Sequence, residues 1–496
     1  MHIIERVKKH DRRNIEIKYT FPLDDKQRTV DYQTEMYLFV PASLGINRSS
    51  YTSDKFYQDE RNNIRFKTPQ VILRHLSEGN GSPLGRLINT INDLLENPLD
   101  GKMQESLLMN IKVFCNIFKS SLRDGCSFII GNSRSEERGA LIRNTIDDTR
   151  KAMKAFQKAE QLIRVPVVGT HLQELFHLAN EYICMLADKY IFMLLDYAEK
   201  NEPEEKSKLA AFLNDLTRYR KKQDFPVASA ASDNEEVLYR MSSLKKIMGE
   251  VLYIKTMTRK EGRYLDMIIP GIAAGIAMAI ATALLYLSRS NVSEMTLTLF
   301  LCIVGIYIVK DRLKDWTKAF FLQRMGNFFY DFKTSLFTDK GGRLGVRREN
   351  FQFIPPDKLP EEVVRIRQRT TEPLEVARPD EQVLHTRRRI HLHSGSGRTS
   401  LKDFQVDGIH DIVRFNIGRF LARMDNPAKK ICTLKNGCLT ATVGRRVYHL
   451  NMVLRFTSDK IDELIKLRII LSRDGIERIG IEQTSTNNIS SMTQNS

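Results

Sequence analysis

Two runs without a charged side chain lie in the middle of the chain. Residues 267–288 form an uncharged run of 22 residues, and residues 295–309 form a second run of 15. A helix of about 20 apolar residues crosses the ~30 Å hydrocarbon core of a bilayer. The alternative is a hairpin buried in a protein core, but such cores seldom contain two uncharged runs this long. The pattern predicts a transmembrane helical hairpin at residues 264–310, with the lipid bilayer as a partner.

Charges on either side of this hairpin predict its orientation. Lysine and arginine residues precede the first run and follow the second. The only charged residues of the connecting loop are Arg289 and Glu294. The positive-inside rule then places both termini in the cytoplasm, and we expect an integral protein of the cytoplasmic or inner membrane. Neither run contains an ionisable residue, which disfavours an ion-coupled transporter.

Small residues recur at every fourth position of the first run, and such a stripe lets another helix approach closely. Two partners fit: the second run of the same chain, or the same helix of a second copy in a homo-oligomer. The residues of this predicted packing site are Gly271, Gly275, Ala279 and Ala283, with Gly305 on the second run.

The single tryptophan, Trp316, follows the second run. It belongs to residues 311–338, where aromatic side chains recur near helical spacing between basic ones. This pattern predicts an amphipathic interfacial helix anchored by Trp316, or a helix docked between the two cytosolic parts of the chain.

The part before the hairpin changes from strand to helix periodicity. Residues 1–80 contain two alternating segments, Asn14–Leu23 and Gln33–Val40, which we predict to pair as an opening β-hairpin. Residues 81–263 have helical periodicity and predict a helical cytosolic domain. One of its helices contains Glu174 and His177 at the spacing of a dinuclear metal site, but no second copy of that motif exists, so no metal site is predicted.

The part after the hairpin predicts a linker, a domain and a tail. Residues 339–380 contain five prolines and predict an irregular linker. Residues 381–483 predict an α+β domain with a mainly antiparallel sheet, a helix at Ile409–Met424 and an Asn-Gly turn that places Cys432 opposite Ala441. Residues 484–496 are polar and predict disorder. The predicted fold class is thus an α+β membrane-anchored protein with a mostly helical amino-terminal part.

One strand of the carboxy-terminal domain supplies the candidate site. In Val383–His393 every second residue is basic, and alternation places these residues on one face of the strand. Arginine suits phosphate and carboxylate groups, and the Ser-Gly-rich segment that follows could add backbone donors. An edge strand protected by charge is the alternative, and the arginines disfavour a metal at the two terminal histidines. We expect an anion site formed by His385, Arg387, Arg389, His391, His393 and Arg398.

Composition limits the classes of function. The net charge of +17 favours anionic partners, an acidic protein or a phosphorylated ligand, but the basic residues form no tail, which disfavours nucleic acid. No Cys-x-x-Cys pair and no catalytic motif is present, so the cofactor stays unknown and the sequence does not decide whether the protein is an enzyme. It predicts a membrane-anchored cytosolic binding or regulatory protein, such as a sensor, scaffold or adaptor. The alternatives are a membrane-associated enzyme acting on a phosphorylated or lipidic substrate, and an oligomeric channel subunit.

Overall fold

The computed structural model divides the chain into two compact units. The sheet unit comprises Met1–Ile64, Ile254–Leu401 and Gly408–Ser496, and the helical unit comprises Arg65–Tyr253 and Lys402–Asp407. The helical unit is thus inserted into the sequence of the sheet unit. The structure describes residues 4–23, 29–79, 81–132, 135–166, 168–261, 265–289, 297–325, 330–338, 341–368, 381–393, 406–435, 437–459 and 461–488.

Fourteen strands are described, and all but the end of β4 belong to the sheet unit. They are β1 (Ile4–Lys9), β2 (Asn14–Pro22), β3 (Thr29–Pro41), β4 (Glu60–Phe66), β5 (Lys255–Lys260), β6 (Phe332–Phe337), β7 (Arg343–Ile354), β8 (Glu381–His393), β9 (Gly408–Asn416), β10 (Ala428–Lys435), β11 (Cys438–Arg445), β12 (Tyr448–Ser458), β13 (Ile461–Ser472) and β14 (Gly475–Asn488).

These strands form one large sheet, one small sheet and a separate hairpin. The large sheet has eight strands in the order β14-β13-β12-β3-β8-β7-β6-β5, and its pairings are antiparallel. The small sheet has four strands in the order β1-β2-β9-β4, and β10 pairs with β11. Because β3 lies between β12 and β8, a strand from the beginning of the chain completes the sheet formed by its end.

The two sheets pack face to face around aromatic side chains. The Phe21 ring of β2 lies 5.1 Å from the Tyr32 ring of β3 and 6.1 Å from the Phe456 ring of β12. Phe56 lies on α1 (Ser53–Asp59) and stacks on Phe351 of β7 with ring centroids 4.4 Å apart. The face of the large sheet that meets the small sheet is its inner face, and the opposite face is its outer face.

Charged side chains also lie between the two sheets. Arg388 of β8 donates from Nε to Glu349 Oε1 of β7 at 2.9 Å and pairs with Glu60 of β4. Arg347 contacts Glu349 at 3.2 Å and Asp411 of β9 at 3.7 Å. Burial raises the pKa of Glu349, and repulsion from Asp411 adds to this. Breaking such a buried pair by removing one partner typically costs about 3–5 kcal/mol, so this charge network fixes the two sheets together.

The helical unit is a bundle around one long central helix. That helix, α5 (Thr170–Asn201), is buried on most of its surface and packs against its four neighbours, as its continuous apolar pattern predicts. The helices of the unit are α2 (Pro83–Glu96), α3 (Gly101–Gly131), α4 (Ser135–Ile163), α5, α6 (Pro203–Lys222) and α7 (Glu235–Gly249).

A helical hairpin leaves the large sheet between two paired strands. Strands β5 and β6 are hydrogen-bonded neighbours, with Lys260 opposite Phe332, and the chain between them forms α8 (Leu265–Arg289) and α9 (Leu297–Met325). The two helices pack on each other. Side chains that protrude from this hairpin are largely apolar and exposed, including Ile272, Tyr286, Phe300, Leu301, Tyr307 and Trp316.

In the part of the chain that the structure describes, no helix has both the length and the apolar character needed to cross a bilayer. The predicted transmembrane hairpin, the membrane-anchored fold class and the integral membrane localisation are therefore wrong. The apolar part of α9 extends only from Leu297 to Val309, about 20 Å against the ~30 Å of a hydrocarbon core. In residues 267–288, half of the 22 residues are Gly, Ala, Pro, Ser or Thr, so counting charges overstated the hydrophobicity of the run.

Several predicted elements also differ from the observed ones. Strands β2 and β3 belong to different sheets and form no hairpin. The predicted helix at Ile409–Met424 is strand β9 followed by the short α11 (Gly418–Leu421), because pairing with β2 overrides the helical spacing of its apolar residues. The predicted linker contains β7 and α10 (Glu361–Gln368). Residues 484–488, predicted disordered, end β14, and residues 489–496 lie outside the described part.

Removing the helical hairpin should leave the large sheet intact. The change is replacement of residues 262–330 by Asn-Gly, since the hydrogen bond from Glu261 N to Asp331 O (3.1 Å) already closes a β-hairpin at that point. We expect the thermal unfolding midpoint to fall by less than about 4 °C, the equivalent of ~1 kcal/mol. Circular dichroism melting measures it, and removal of α9 alone, which uncovers α8, should by contrast cause aggregation. Loss of cooperative unfolding after the complete removal would contradict the prediction.

Candidate functional site

The predicted anion-binding strand is confirmed as a strand, but it lies in the centre of the large sheet. Strand β8 pairs with β3 on one side and β7 on the other, so it is not an edge strand. Its odd-numbered residues, which include the five predicted site residues of the strand, lie on the outer face. Part of that face is covered, because Val363 and Ile366 of α10 pack on Tyr37 and Phe39 of β3.

The covered end of the strand contains a compact charge cluster. His385 is 1% exposed and stacks on the Tyr37 ring with centroids 4.5 Å apart, so a ligand does not reach it. Arg387 donates from Nε to Glu35 Oε1 at 3.1 Å, and the Tyr37 hydroxyl donates to Glu35 Oε2 at 2.9 Å. The first two predicted site residues therefore hold an acid of this chain, Glu35, which the sequence analysis did not identify as their partner.

The opposite end of the strand is more open. His391 Nδ1 lies 2.9 Å from Asp31 Oδ1 of β3, and the His393 ring lies 4.9 Å from the His391 ring. Burial lowers the pKa of His393, and the neighbouring His391 and Arg343 add to this. Arg398 lies outside the described residues. The structure thus brings the two histidines together beside an aspartate, and in the described chain no three His, Cys, Asp or Glu residues form a group that would hold a metal ion.

Between these ends, four cations stand directly opposite one another across four strands. Arg389 of β8 is opposite Arg348 of β7, which is opposite Lys333 of β6, which is opposite Arg259 of β5. Paired residues of antiparallel strands point to the same face, so the four side chains form one row on the outer face, which we name the cationic row. Adjacent strands lie about 4.8 Å apart, so the row is about 14 Å long.

The cationic row has little compensating negative charge. Arg348 pairs with Glu261 at 3.0 Å, and Arg389 donates to the neutral Gln33 amide oxygen at 3.1 Å. In the described structure neither Lys333 nor Arg389 has a carboxylate within ion-pair distance. Like charges directly opposite in a sheet are destabilising, by about 0.2–1 kcal/mol per pair. Among the described residues, the row therefore places like charges side by side with Glu261 as the one acid paired with it.

Three of the four row residues were missed because the sequence gives no register. Arg348 lies in residues 339–380, which were predicted to be a linker because of their prolines. Lys333 lies in the predicted interfacial helix. Recognising the alternation in 343–354 as a strand would have found Arg348, but its position opposite Arg389 depends on pairing between distant segments.

The small-residue stripe does not form the contact between α8 and α9. Gly271 and Gly275 are exposed, and a Cβ atom added at either of them, or at Gly305, would meet no described atom within 4 Å. Ala279 and Ala283 are exposed as well, whereas Ala273, Ala277 and Ala281 are buried. Among the described side chains, the buried alanine row of α8 is a different one from the predicted stripe. Contact with a second copy stays a prediction. Trp316 is 73% exposed on α9.

The helical unit contains a metal-like spacing and a groove. Glu174 and His177 belong to no metal-binding group of three His, Cys, Asp or Glu residues in the described chain. The neighbouring Glu181 is buried and accepts hydrogen bonds from both Nε and Nη2 of Arg240. A groove of about 730 Å³ is lined by residues of α3 and α4 and has exposed Ile72 and Phe128 among its walls. That volume lies in the range of small-molecule pockets. None of the predicted site residues lines it.

Replacing Glu35 should make the large sheet less stable in a pH-dependent way. Burial alone would raise the pKa of Glu35, but His385, Arg387 and the Tyr37 hydroxyl outweigh it and lower the pKa from 4.5 to about 2. This shift corresponds to roughly 3 kcal/mol of stability, present above pH 4.5 and lost as the pH falls through about 2. Urea unfolding should show that Glu35→Gln lowers the free energy of unfolding most at neutral pH. In acid, the difference in this free energy from the unsubstituted protein should disappear.

The matched control is Glu477→Gln, which removes an ion pair to Arg445 in which the arginine side chain is 62% exposed and the glutamate side chain 27%. Exposed pairs contribute about 0–1 kcal/mol, so this substitution should have little effect at any pH. Equal losses for the two variants at neutral pH would show that the Glu35 cluster does not stabilise the sheet.

Comparison of the chain with known protein families, with curated proteins and with solved structures finds no match.

Proposed function

We propose that this chain is a binding protein of the regulatory or scaffolding kind, which takes phosphorylated ligands on the cationic row. The observation that carries the proposal is the alignment of Arg259, Lys333, Arg348 and Arg389 in register across four adjacent strands. Such a row has an electrostatic cost in the unliganded protein, and an anion that bridges neighbouring cations removes it.

The spacing of the row favours phosphate over the carboxylates of an acidic peptide. Adjacent cations are separated by the strand spacing of about 4.8 Å, whereas side chains on one face of an extended peptide recur every ~6.8 Å. A phosphoryl group presents several oxygen atoms in a small volume, and arginine binds two of them at once. A chain of linked phosphates can therefore contact each cation of the row. The carboxylates of an extended peptide are spaced too widely to contact every cation.

The residues around the row support binding rather than a reaction. Its members provide positive charge and hydrogen-bond donors, and the nearest acid, Glu261, is engaged by Arg348 at 3.0 Å. His391 and His393 lie on the same face of β8, two and four residues from Arg389. Their rings lie beside one end of the row, and a neutral imidazole donates from one of its two nitrogens.

Removing two cations from the row should abolish most of the phosphate binding without lowering stability. In the double variant Lys333→Gln and Arg389→Gln, neither lost charge leaves a carboxylate unpaired in the described structure. We expect tripolyphosphate to bind at least about tenfold more weakly by isothermal titration calorimetry, a loss of ~1.4 kcal/mol. The thermal midpoint without ligand should stay the same or rise, because like-charge repulsion is relieved.

The matched control removes two cations from the separate hairpin, Lys429→Gln and Arg445→Gln, both exposed. This control should bind tripolyphosphate as the unsubstituted protein does. Equal weakening in both double variants would mean that net charge alone attracts the ligand, and unchanged binding in the row variant would exclude the row as the site. Tighter binding of a glutamate-rich peptide than of tripolyphosphate would overturn the ligand class.

A further inference from the structure

The β10–β11 hairpin forms a two-stranded sheet of its own within the sheet unit. In the described structure β10 pairs only with β11, and every described side chain from Ala428 to Val443 is exposed. A hairpin of this kind is at best marginally stable in water, since it has two free edges and no core. A further strand would therefore stabilise it by pairing with one of its edges.

The register of the hairpin determines which backbone groups of β10 are free. In an antiparallel ladder, hydrogen-bonded residue pairs alternate with pairs that are not hydrogen-bonded. At the base of the hairpin the Arg446 N–H donates to the carbonyl of Pro427 at 2.6 Å, and the register continues from there to the turn without a shift. The N–H and C=O groups of Lys430, Cys432 and Leu434 therefore point away from β11, to the free edge of β10.

Apolar and basic side chains lie together at this edge. Leu434 of β10 and Leu439 of β11 are opposite one another, and each is 76% exposed. Lys430 lies on the same face, opposite Val443, which is 72% exposed. Among the described residues, neither Lys429 nor Lys430 has a carboxylate within ion-pair distance. Edge lysines oppose pairing with another basic strand, but they leave the apolar side chains uncovered.

The charge of the hairpin selects the kind of partner. Residues 428–447 contain five lysine and arginine residues and no acidic residue. Arg445 and Arg446 are engaged by acids at the base of the hairpin, so the lysines of β10 carry the remaining charge. A second copy of this hairpin is disfavoured because it would bring like charges together. A nucleic acid would pair with the lysines through its charged backbone and leave the apolar side chains uncovered.

We propose that the free edge of β10 is a docking site for an extended segment of a partner protein that contains acidic and apolar residues. The segment adds to the hairpin as a third strand, and its backbone pairs with the free groups of Lys430, Cys432 and Leu434. Its acids face Lys429 and Lys430, and its apolar side chains cover Leu434. The edge of β11 is the poorer site, because residues 439–443 contain no cation. This interaction is separate from phosphate binding on the cationic row.

The test compares two proline variants of the full-length chain at one residue pair. Cys432 of β10 is opposite Ala441 of β11, and neither residue donates its N–H to the other strand. Proline at either position therefore leaves the bonds between β10 and β11 intact. Cys432→Pro removes a donor from the proposed docking edge, whereas Ala441→Pro, the matched control, removes a donor from the opposite edge.

The probe is a fluorescein-labelled peptide, Glu-Val-Thr-Val-Val-Glu-Glu-Val, which is as long as β10. When it runs antiparallel to β10, its glutamates are in register with the three lysines of that strand. We expect fluorescence anisotropy to show that Cys432→Pro binds the peptide at least about tenfold more weakly than the unsubstituted chain. Ala441→Pro should bind it as tightly as the unsubstituted chain does.

Reversing the charges of the edge gives a second measurement. The double variant Lys429→Glu and Lys430→Glu should prefer a peptide with lysine in place of each glutamate, because opposite charges select the partner. The Lys333→Gln and Arg389→Gln variant should bind the acidic peptide as the unsubstituted chain does, which distinguishes this edge from peptide binding on the row. Three results would overturn the proposal: no binding of the acidic peptide, equal binding to the two proline variants, or tighter binding of a single-stranded oligonucleotide than of the peptide.

Discussion

The pairing of β3 with β8 is the constraint on which the sheet unit depends. Thirteen residues of each strand, Thr29–Pro41 and Glu381–His393, are matched in one unbroken register although some 350 residues separate them in sequence. The side chains of the two strands specify that register, since Glu35 meets Arg387 and Asp31 meets His391 on the outer face. A slip of one residue would move every one of these charges to the wrong face. Such distant pairing closes a large loop, so it forms only when the intervening helical unit and hairpin allow both segments to meet.

The arginines on the two faces of β8 differ in whether an acid neutralises them. On the inner face, Arg388 is buried and is neutralised by Glu349 and Glu60, because an unpaired charge between the sheets would cost several kcal/mol, roughly 3–5. On the outer face, the charge of Arg389 is left without an acid because solvent lowers that cost. The buried pairs therefore stabilise the contact between the sheets, whereas the charge of Arg389 faces solvent with no carboxylate within ion-pair distance among the described residues.

The sequence predicted local structure well and distant pairing poorly. Alternation predicted the strand at Val383–His393, and the Asn-Gly turn predicted the register in which Cys432 faces Ala441; both are confirmed. Helical spacing at 409–424 failed because β9 gains its conformation from nine residue pairs with β2, which no local pattern reveals. For the same reason the sequence predicted one strand of the site but not the row, since a row perpendicular to the strands is a property of register alone.

The position of the row relates the proposed binding to the helical hairpin. Arg259 and Lys333 immediately precede and follow Lys260 and Phe332, the last paired residues before the chain leaves the sheet as α8 and returns from α9. Repulsion between Arg259 and Lys333 weakens this end of the β5–β6 pair, which is held closed by the hydrogen bonds from Glu261 N to Asp331 O (3.1 Å) and between the Thr258 and Thr334 hydroxyls (2.9 Å). A phosphate that bridges the two cations strengthens the pairing at the base of the hairpin. The proposed site thus lies where the helical hairpin joins the sheet, on the two strands that hold its ends together.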